Sequence, residues 1–259
     1  MAGFLFHEVV FGPVRSRRLG LSLGINLLPK HTKYCTFNCI YCECGWTPPQ
    51  SGVPPDLPSR EEVRWYLEKC LKQLTEEDYL PDAITYAGNG EPTIHPGFPQ
   101  IVDDTIGLRD ELAPEAKVTV LSNASMVHNE EIFQTLLKLD NNIQKLDGGT
   151  ERIFRLMNNP MDLIAFDSLV ANLKRFQGKV IIQTMFIRGR YRGEPIDNTT
   201  GAEVTAWLEK LQEIGPESVM IYPIARATPV HELEKIPIFE LEKIAEKVRE
   251  KGIKVKVYQ

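Results

Sequence analysis

The stretch "SREEVRWYLEKCLKQLTEEDYLPDAITYAG", residues 59–88, decides the fold. Ser59 and Glu62 stand at the spacing in which a hydroxyl and a carboxylate each bond the other's free backbone amide at a helix start. Behind them Val63, Leu67, Cys70, Leu71 and Leu74 recur at helical period, which predicts a helix over 59–77 with Cys70 on its core-facing side. After Pro81 the pattern changes. "DAITYAG" is short, apolar on successive positions and closed by glycine, which reads as a strand covered on both faces.

The same alternation extends in both directions. Strand-like runs are "LGINLLP", "KVTVLSN", "NIQKLDGG", "KVIIQTMFI", "SVMIYPI" and a last "IKVKVY". Helical periodicity falls near 97–112, 129–139, 161–176, 200–213 and 237–251. Strands buried on both faces and separated by helices imply a parallel sheet, because parallel neighbours need crossovers and the crossovers cover the sheet. Six such units are two short of a closed eightfold barrel. The expected architecture is α/β, a partial (β/α)6 TIM-like barrel in one domain over 1–259, with its core at about 20–229 and a C-terminal helix and strand at about 237–258. Active residues of such folds gather where the strands end, and there stand Gly88 to Glu91, Ser122, Asn123, Asp147, Gln183, Thr184 and Tyr222. The loop "CGWTPPQSGVPPDLPS" carries five prolines and is expected to pack over the barrel mouth.

Of 259 residues 42% are hydrophobic and 25% charged, the make-up of a globular chain that can bury a large core. The opening lacks a secretory pattern and no apolar run approaches eighteen residues, so a cytoplasmic protein without membrane association is expected. A net charge of −5 argues against nucleic-acid binding over the whole surface. Two clusters run against that balance: Arg15, Arg17 and Arg18, and then Arg188, Arg190 and Arg192 in "RGRYRG". Each reads either as a solvated loop or as contacts to an anionic ligand.

Four of the five cysteines lie within "CTFNCIYCECG", residues 35–45. Cys35, Cys39 and Cys42 have the spacing C-x3-C-x2-C, with which one loop can wrap three corners of a four-iron, four-sulfur cube. Cys44, with only one residue between it and Cys42, is poorly placed to aim at the fourth corner, so that iron is left open. A zinc site would need a second cysteine or histidine pair further along, which is missing. A saturated electron-transfer cluster that recruits Cys44 is the other alternative.

The C-x3-C-x2-C loop, with Tyr41 before its third cysteine and placed after the first strand of a partial barrel, resembles the radical S-adenosylmethionine (SAM) superfamily. "YAGNGEPT" is similar to that family's Gly-Gly-Glu segment, with Asn89 in place of the second glycine. "GPVRSRRLGLSLGINLLP", "TVLSNA", "QKLDGG" and "IYPIARATP" resemble a narrower branch that includes the tRNA wyosine synthases. This resemblance implies a 4Fe-4S cluster on Cys35, Cys39 and Cys42, with S-adenosyl-L-methionine as the second cofactor. It implies SAM contacts from Tyr41, Gly88, Asn89, Gly90, Glu91, Ser122 and Asn123. Asp147 and Gln183 would line the cavity, and Tyr222, Pro223 and Ile224 would lie near adenine.

The family's chemistry would be reductive SAM cleavage to a 5′-deoxyadenosyl radical that takes hydrogen from a substrate, here a nucleotide or tRNA base. Arg15, Arg17, Arg18, Arg188, Arg190, Arg192 and Arg226 are the candidate substrate contacts. A flavodoxin or ferredoxin would supply the electron, and a monomer is expected. Wyosine synthases carry further cysteines upstream of the signature, whereas Met1 to Tyr34 contain none, which sets this chain apart from that reaction. The rival readings are a radical SAM activase or modifier of a protein or peptide, and a non-catalytic Fe-S electron carrier.

Overall fold

The computed structural model describes residues 3–49 and 55–259. Helix α1 (Arg60–Glu76) opens on the expected capping box: Glu62 N donates to Ser59 Oγ at 3.1 Å and Ser59 N to Glu62 Oε2 at 2.9 Å. Val63, Leu67, Leu71 and Leu74 are buried. Cys70 is half-buried at the rim, a correction to its core placement, because it falls at the edge of the arc those four residues define.

Strands β2 (Gly20–Ile25), β3 (Ala83–Tyr86), β4 (Lys117–Ser122), β5 (Asn141–Lys145), β6 (Ile181–Tyr191) and β8 (Ser218–Pro223) lie side by side and parallel, the six units anticipated. Two strands extend the row. β10 (Val255–Val257) runs parallel to β8, and β1 (Val10–Ser16) pairs antiparallel with β2. The sheet begins at β1 and ends at β10 without returning on itself, so the barrel is open along one seam. β1 escaped the sequence reading because Gly12 and Pro13 interrupt its alternation, and its register shifts there between Phe11 and Val14.

Helices α2 (Phe98–Leu112), α3 (Glu130–Leu136), α4 (Glu151–Asn158), α5 (Phe166–Lys174), α6 (Gly201–Ile214) and α7 (Ile238–Glu250) follow. The helix expected over 161–176 is shorter, and α4 precedes it. Asn159, left-handed at φ 41°, and Pro160 end α4 before a new start at Phe166. The strand expected to reach Gly149 stops at Lys145. The proline-rich loop falls partly, at residues 50–54, outside the described residues.

Alternation along the strands decides what faces the barrel interior. Tyr86 donates its hydroxyl outward to Thr105 Oγ1 of α2 at 2.7 Å, and Phe186 meets Trp207 of α6 edge-on at 5.3 Å. Their neighbours in sequence therefore point inward: Thr85 bonds Ser22 of β2 at 2.8 Å, and Met185 and Gln183 face the interior. The distal half of β6 leaves the barrel and pairs with β7 (Glu194–Asp197) and β9 (Leu233–Lys235) as a small arm beside the mouth.

Candidate active site

The cysteine loop is fastened on two sides. On one, Tyr34 N donates to Asn89 O at 2.8 Å, and Glu91 N to Tyr34 O at 3.3 Å, which ties the loop to the end of β3. Gly90, at φ +148°, makes this approach possible, since a Cβ there would lie 1.8 Å from Tyr34 O. On the other side, Asn38 N donates to Asn159 O, Ile40 N to Met157 O and Met161 N to Thr36 O, so the end of α4 grips the loop. Phe37 and Ile40, interleaved with the cysteines, are buried in the core. Burying these two apolar residues turns the thiols toward the strand ends.

Around the thiols stand donors. Phe37 N lies 3.5 Å from Cys35 Sγ, Asn123 Nδ2 lies 3.6 Å from the same sulfur, and Asn158 Nδ2 lies 3.5 Å from Cys39 Sγ. Lys33 is buried and donates from Nζ to Gly45 O at 2.9 Å. Burial lowers the Lys33 ammonium, but the facing Cys42, Cys35 and Cys39 sulfurs outweigh it and leave the group raised. The Cys35 thiol is pushed up to about 12, chiefly by burial. Cys42 is held low by the neighbouring Cys44 thiol, against burial and with help from the Lys33 charge. The Cys44 Sγ also lies 3.4 Å from Gly88 O.

These groups fit an iron-sulfur cluster. Hydrogen-bond donors and a cation directed at sulfur stabilise cluster thiolates. Among the described residues no three His, Cys, Asp or Glu side chains form a ready-made site for a single metal ion.

Beneath the loop lies a polar network. The Tyr41 hydroxyl donates to Asp147 Oδ2 and accepts from Lys145 Nζ at 2.7 Å. Lys145 stands 3.5 Å from that carboxylate oxygen, and Asn158 Nδ2 donates to it at 2.7 Å. Asp147 Oδ1 accepts from Met185 N at 2.9 Å, which fixes the carboxylate between β5 and β6. Burial opposes the Lys145 charge, yet Asp147 leaves the ammonium raised. Lys33, Lys145 and Asn158 were not anticipated. Lys145 had a signal, a cation inside a strand-like run, whereas Asn158 ends a helix whose period was missed.

Other anticipated residues are divided by the structure. Asn123, Asp147, Gln183 and Tyr222 face the interior network, Pro223 ends β8, and Ile224 is half-buried just after it. Asn89 is directed elsewhere: its amide pairs with both backbone groups of Phe6 at 2.8 Å and with Pro29 O. Glu91 is likewise engaged internally. Its Oε2 accepts from Asn123 N at 2.6 Å and its Oε1 from Thr93 Oγ1 at 2.6 Å, so the side chain ties β3 to β4. Ser122 Oγ accepts from Ala124 N at 3.1 Å.

The arginines separate too. Arg188 is paired with Glu240 at 2.6 Å and Asp197 at 3.7 Å, and Arg226 with Glu43 at 2.6 Å. Arg190 donates to Gly193 O, and Arg192 lies over Tyr191, itself stacked on Trp46. Arg15 and Arg17 are exposed, while Arg18 reaches inward to Gln183. Beside Cys42 a pocket of about 360 Å³ opens between Phe4, Trp46, Arg226 and His231.

The described residues thus build an open parallel α/β barrel with a three-thiol loop over its strand ends. The chain belongs to the radical SAM superfamily, which it matches over residues 30–197. Members of this superfamily bind a 4Fe-4S cluster and SAM. A UPF0026 protein of Methanocaldococcus jannaschii is 30% identical over 213 residues, which cover 80% of this chain and 61% of that protein. A protein of Brachyspira hyodysenteriae named GTPase Obg is 29% identical over 238 residues, 90% of this chain and 32% of that protein. The chain thus spans about a third of one relative and three fifths of the other.

Among solved structures, a radical SAM methyltransferase from Sphaerobacter thermophilus superposes with a TM-score of 0.67 at 14% identity, covering 91% of this chain and 65% of that one. An archaeal TYW1 gives 0.54 at 13% identity, over 88% and 71%. At such identities the likeness is one of fold. Among the described residues no helix is long and apolar enough to cross a membrane.

Proposed function

We propose that Cys35, Cys39 and Cys42 hold the cluster with one iron left to SAM, and that the enzyme abstracts hydrogen from a nucleotide or nucleobase. The observation that supports this reading is the arrangement of three thiols with amide donors at Cys35 and Cys39, while the fourth thiol, Cys44, donates to Gly88 O at 3.4 Å. When bound, the cofactors supply reductive cleavage of the sulfonium to a 5′-deoxyadenosyl radical. The chain's own residues do the rest. Asn123 and Asn158 orient the sulfurs, Lys33 offsets their charge, and Tyr41 with Lys145 and Asp147 forms a fixed polar wall below them. Glu91 positions the Asn123 backbone, and the packed interior excludes water from a reactive radical.

The proposal takes the chain as one catalytic domain, monomeric and cytoplasmic, served by a flavodoxin or ferredoxin. Wyosine formation is not proposed, since Met1 to Tyr34 contain no cysteine. The test is anaerobic reconstitution followed by electron paramagnetic resonance (EPR) with and without SAM. A changed spectrum and 5′-deoxyadenosine formation are expected; an unchanged spectrum refutes the proposal.

A further inference from the structure

We infer that Arg18 is an anion-binding residue of the substrate site, and that the substrate carries a phosphate or carboxylate group. The inference rests on the reading of the barrel as a radical SAM active site.

Arg18 sits in the turn between β1 and β2, at the open seam of the barrel, and that turn is built to aim it. Ser16 Oγ accepts from Arg18 N at 3.3 Å and from Leu19 N at 3.2 Å, which pins the backbone on both sides of the arginine. Gly20 follows at φ +73°, where a Cβ would lie 2.3 Å from Asp82 Oδ2. Asp82 in turn accepts from Leu21 N at 2.7 Å. The consequence is a division between neighbours: Arg17 is exposed and bonds Gln259 O outside, whereas Arg18 crosses the seam inward.

There its Nη1 donates to Gln183 Oε1 at 2.8 Å, and its guanidinium lies 4.7 Å from the centre of the Tyr222 ring. Both partners are buried and both are neutral. Lys145 is paired with Asp147 and Arg226 with Glu43, and Lys33 faces the cysteine sulfurs, but among the described residues Arg18 has no carboxylate partner. A half-buried guanidinium stacked on an aromatic ring, with N–H groups to spare and no counter-charge, is a receptor for an oxyanion. The β1–β2 turn lies at the N-terminal ends of the strands, opposite the cysteine loop, but the contacts to Gln183 and Tyr222 bring the guanidinium into the barrel interior, where Gln183 is level with Lys145 and Tyr222 with Met185 on adjacent strands. A substrate held by its anionic end at Arg18 would lie along this polar wall toward the Cys39 sulfur.

The test uses the full, reconstituted chain with SAM bound. Thermal-shift titrations with inorganic phosphate, uridine 5′-monophosphate and acetate are run on wild type, Arg18→Gln and Arg17→Gln. Saturable stabilisation of wild type by the phosphate probes or by acetate is expected, which also tells a phosphoryl from a carboxylate substrate. Arg18→Gln should weaken it tenfold or more and Arg17→Gln should leave it within twofold. Equal binding by wild type and Arg18→Gln, or no saturable binding of any probe, overturns the inference. If Arg18→Gln does not fold, Arg18→Lys replaces it: loss of the forked donor should again weaken binding severalfold, and undiminished affinity overturns the assignment. The SAM-induced EPR change should persist in the Arg18 variants. Its absence already in wild type would refute the parent reading instead.

Discussion

Replacing Lys33 by methionine removes a charge from beneath the cysteine loop while nearly keeping its volume. The ammonium is buried, bonded to Gly45 O at 2.9 Å, and faces Cys42, Cys35 and Cys39. One unit charge ~6 Å from the added electron, at an effective dielectric of ~20, is worth ~3 kcal/mol. At 1.4 kcal/mol and 59 mV per decade for one electron, losing this lowers the midpoint potential by ~120 mV. The assay is an EPR-monitored redox titration of the reconstituted Lys33→Met protein, with iron content and melting temperature as controls. A midpoint within ~20 mV of wild type, at equal iron content, would refute the reasoning, because a buried cation at this range cannot be silent. A large loss of iron would instead show that Lys33 is needed for assembly.

Cys35→Ala, Cys39→Ala and Cys42→Ala should each abolish 5′-deoxyadenosine formation with helical circular dichroism retained, whereas Cys44→Ala should keep measurable turnover; loss of the cluster in Cys44→Ala alone would give that thiol the fourth corner. Glu91→Gln sets an amide where a buried carboxylate accepts from Asn123 N and Thr93, and should cost ~2 kcal/mol in urea unfolding. Asp104, which ties α2 to Arg60 and Arg64 of α1, has its carboxyl lowered below the usual range by the Arg60 hydrogen bond. Its contribution is therefore present above the unfolded value near 3.8 and lost as pH falls through the folded value. Asp104→Asn should lose less than ~1 kcal/mol at pH 7, since the arginines are half-exposed, and should flatten the acid limb of a stability-against-pH profile.

The parts of the fold that could be read in advance are those written in local periodicity. Ser59 and Glu62 close their capping box within four residues, and the six parallel strands announce themselves as short apolar runs. Features carried by interruptions could not be read so: β1 across Gly12 and Pro13, and α4 ended by Asn159. At the site, Cys35, Cys39 and Cys42 were legible because three residues on one loop are held together by the chain itself. Asn158 was not, because its approach to Cys39 spans 119 residues and exists only once α4 grips the loop.

By itself, the order of residues determined a parallel α/β barrel and a loop of three cysteines after its first parallel strand, since both depend on spacing between near neighbours. Only the tertiary structure decided which polar groups face the sulfurs, which arginines are neutralised and which one turns inward. Arg17 and Arg18 are chemically identical and adjacent, and differ only through a turn pinned by Ser16 and a seam left open between β1 and β10. Charge pairing and burial act through space across long stretches of chain, so no local pattern could assign them.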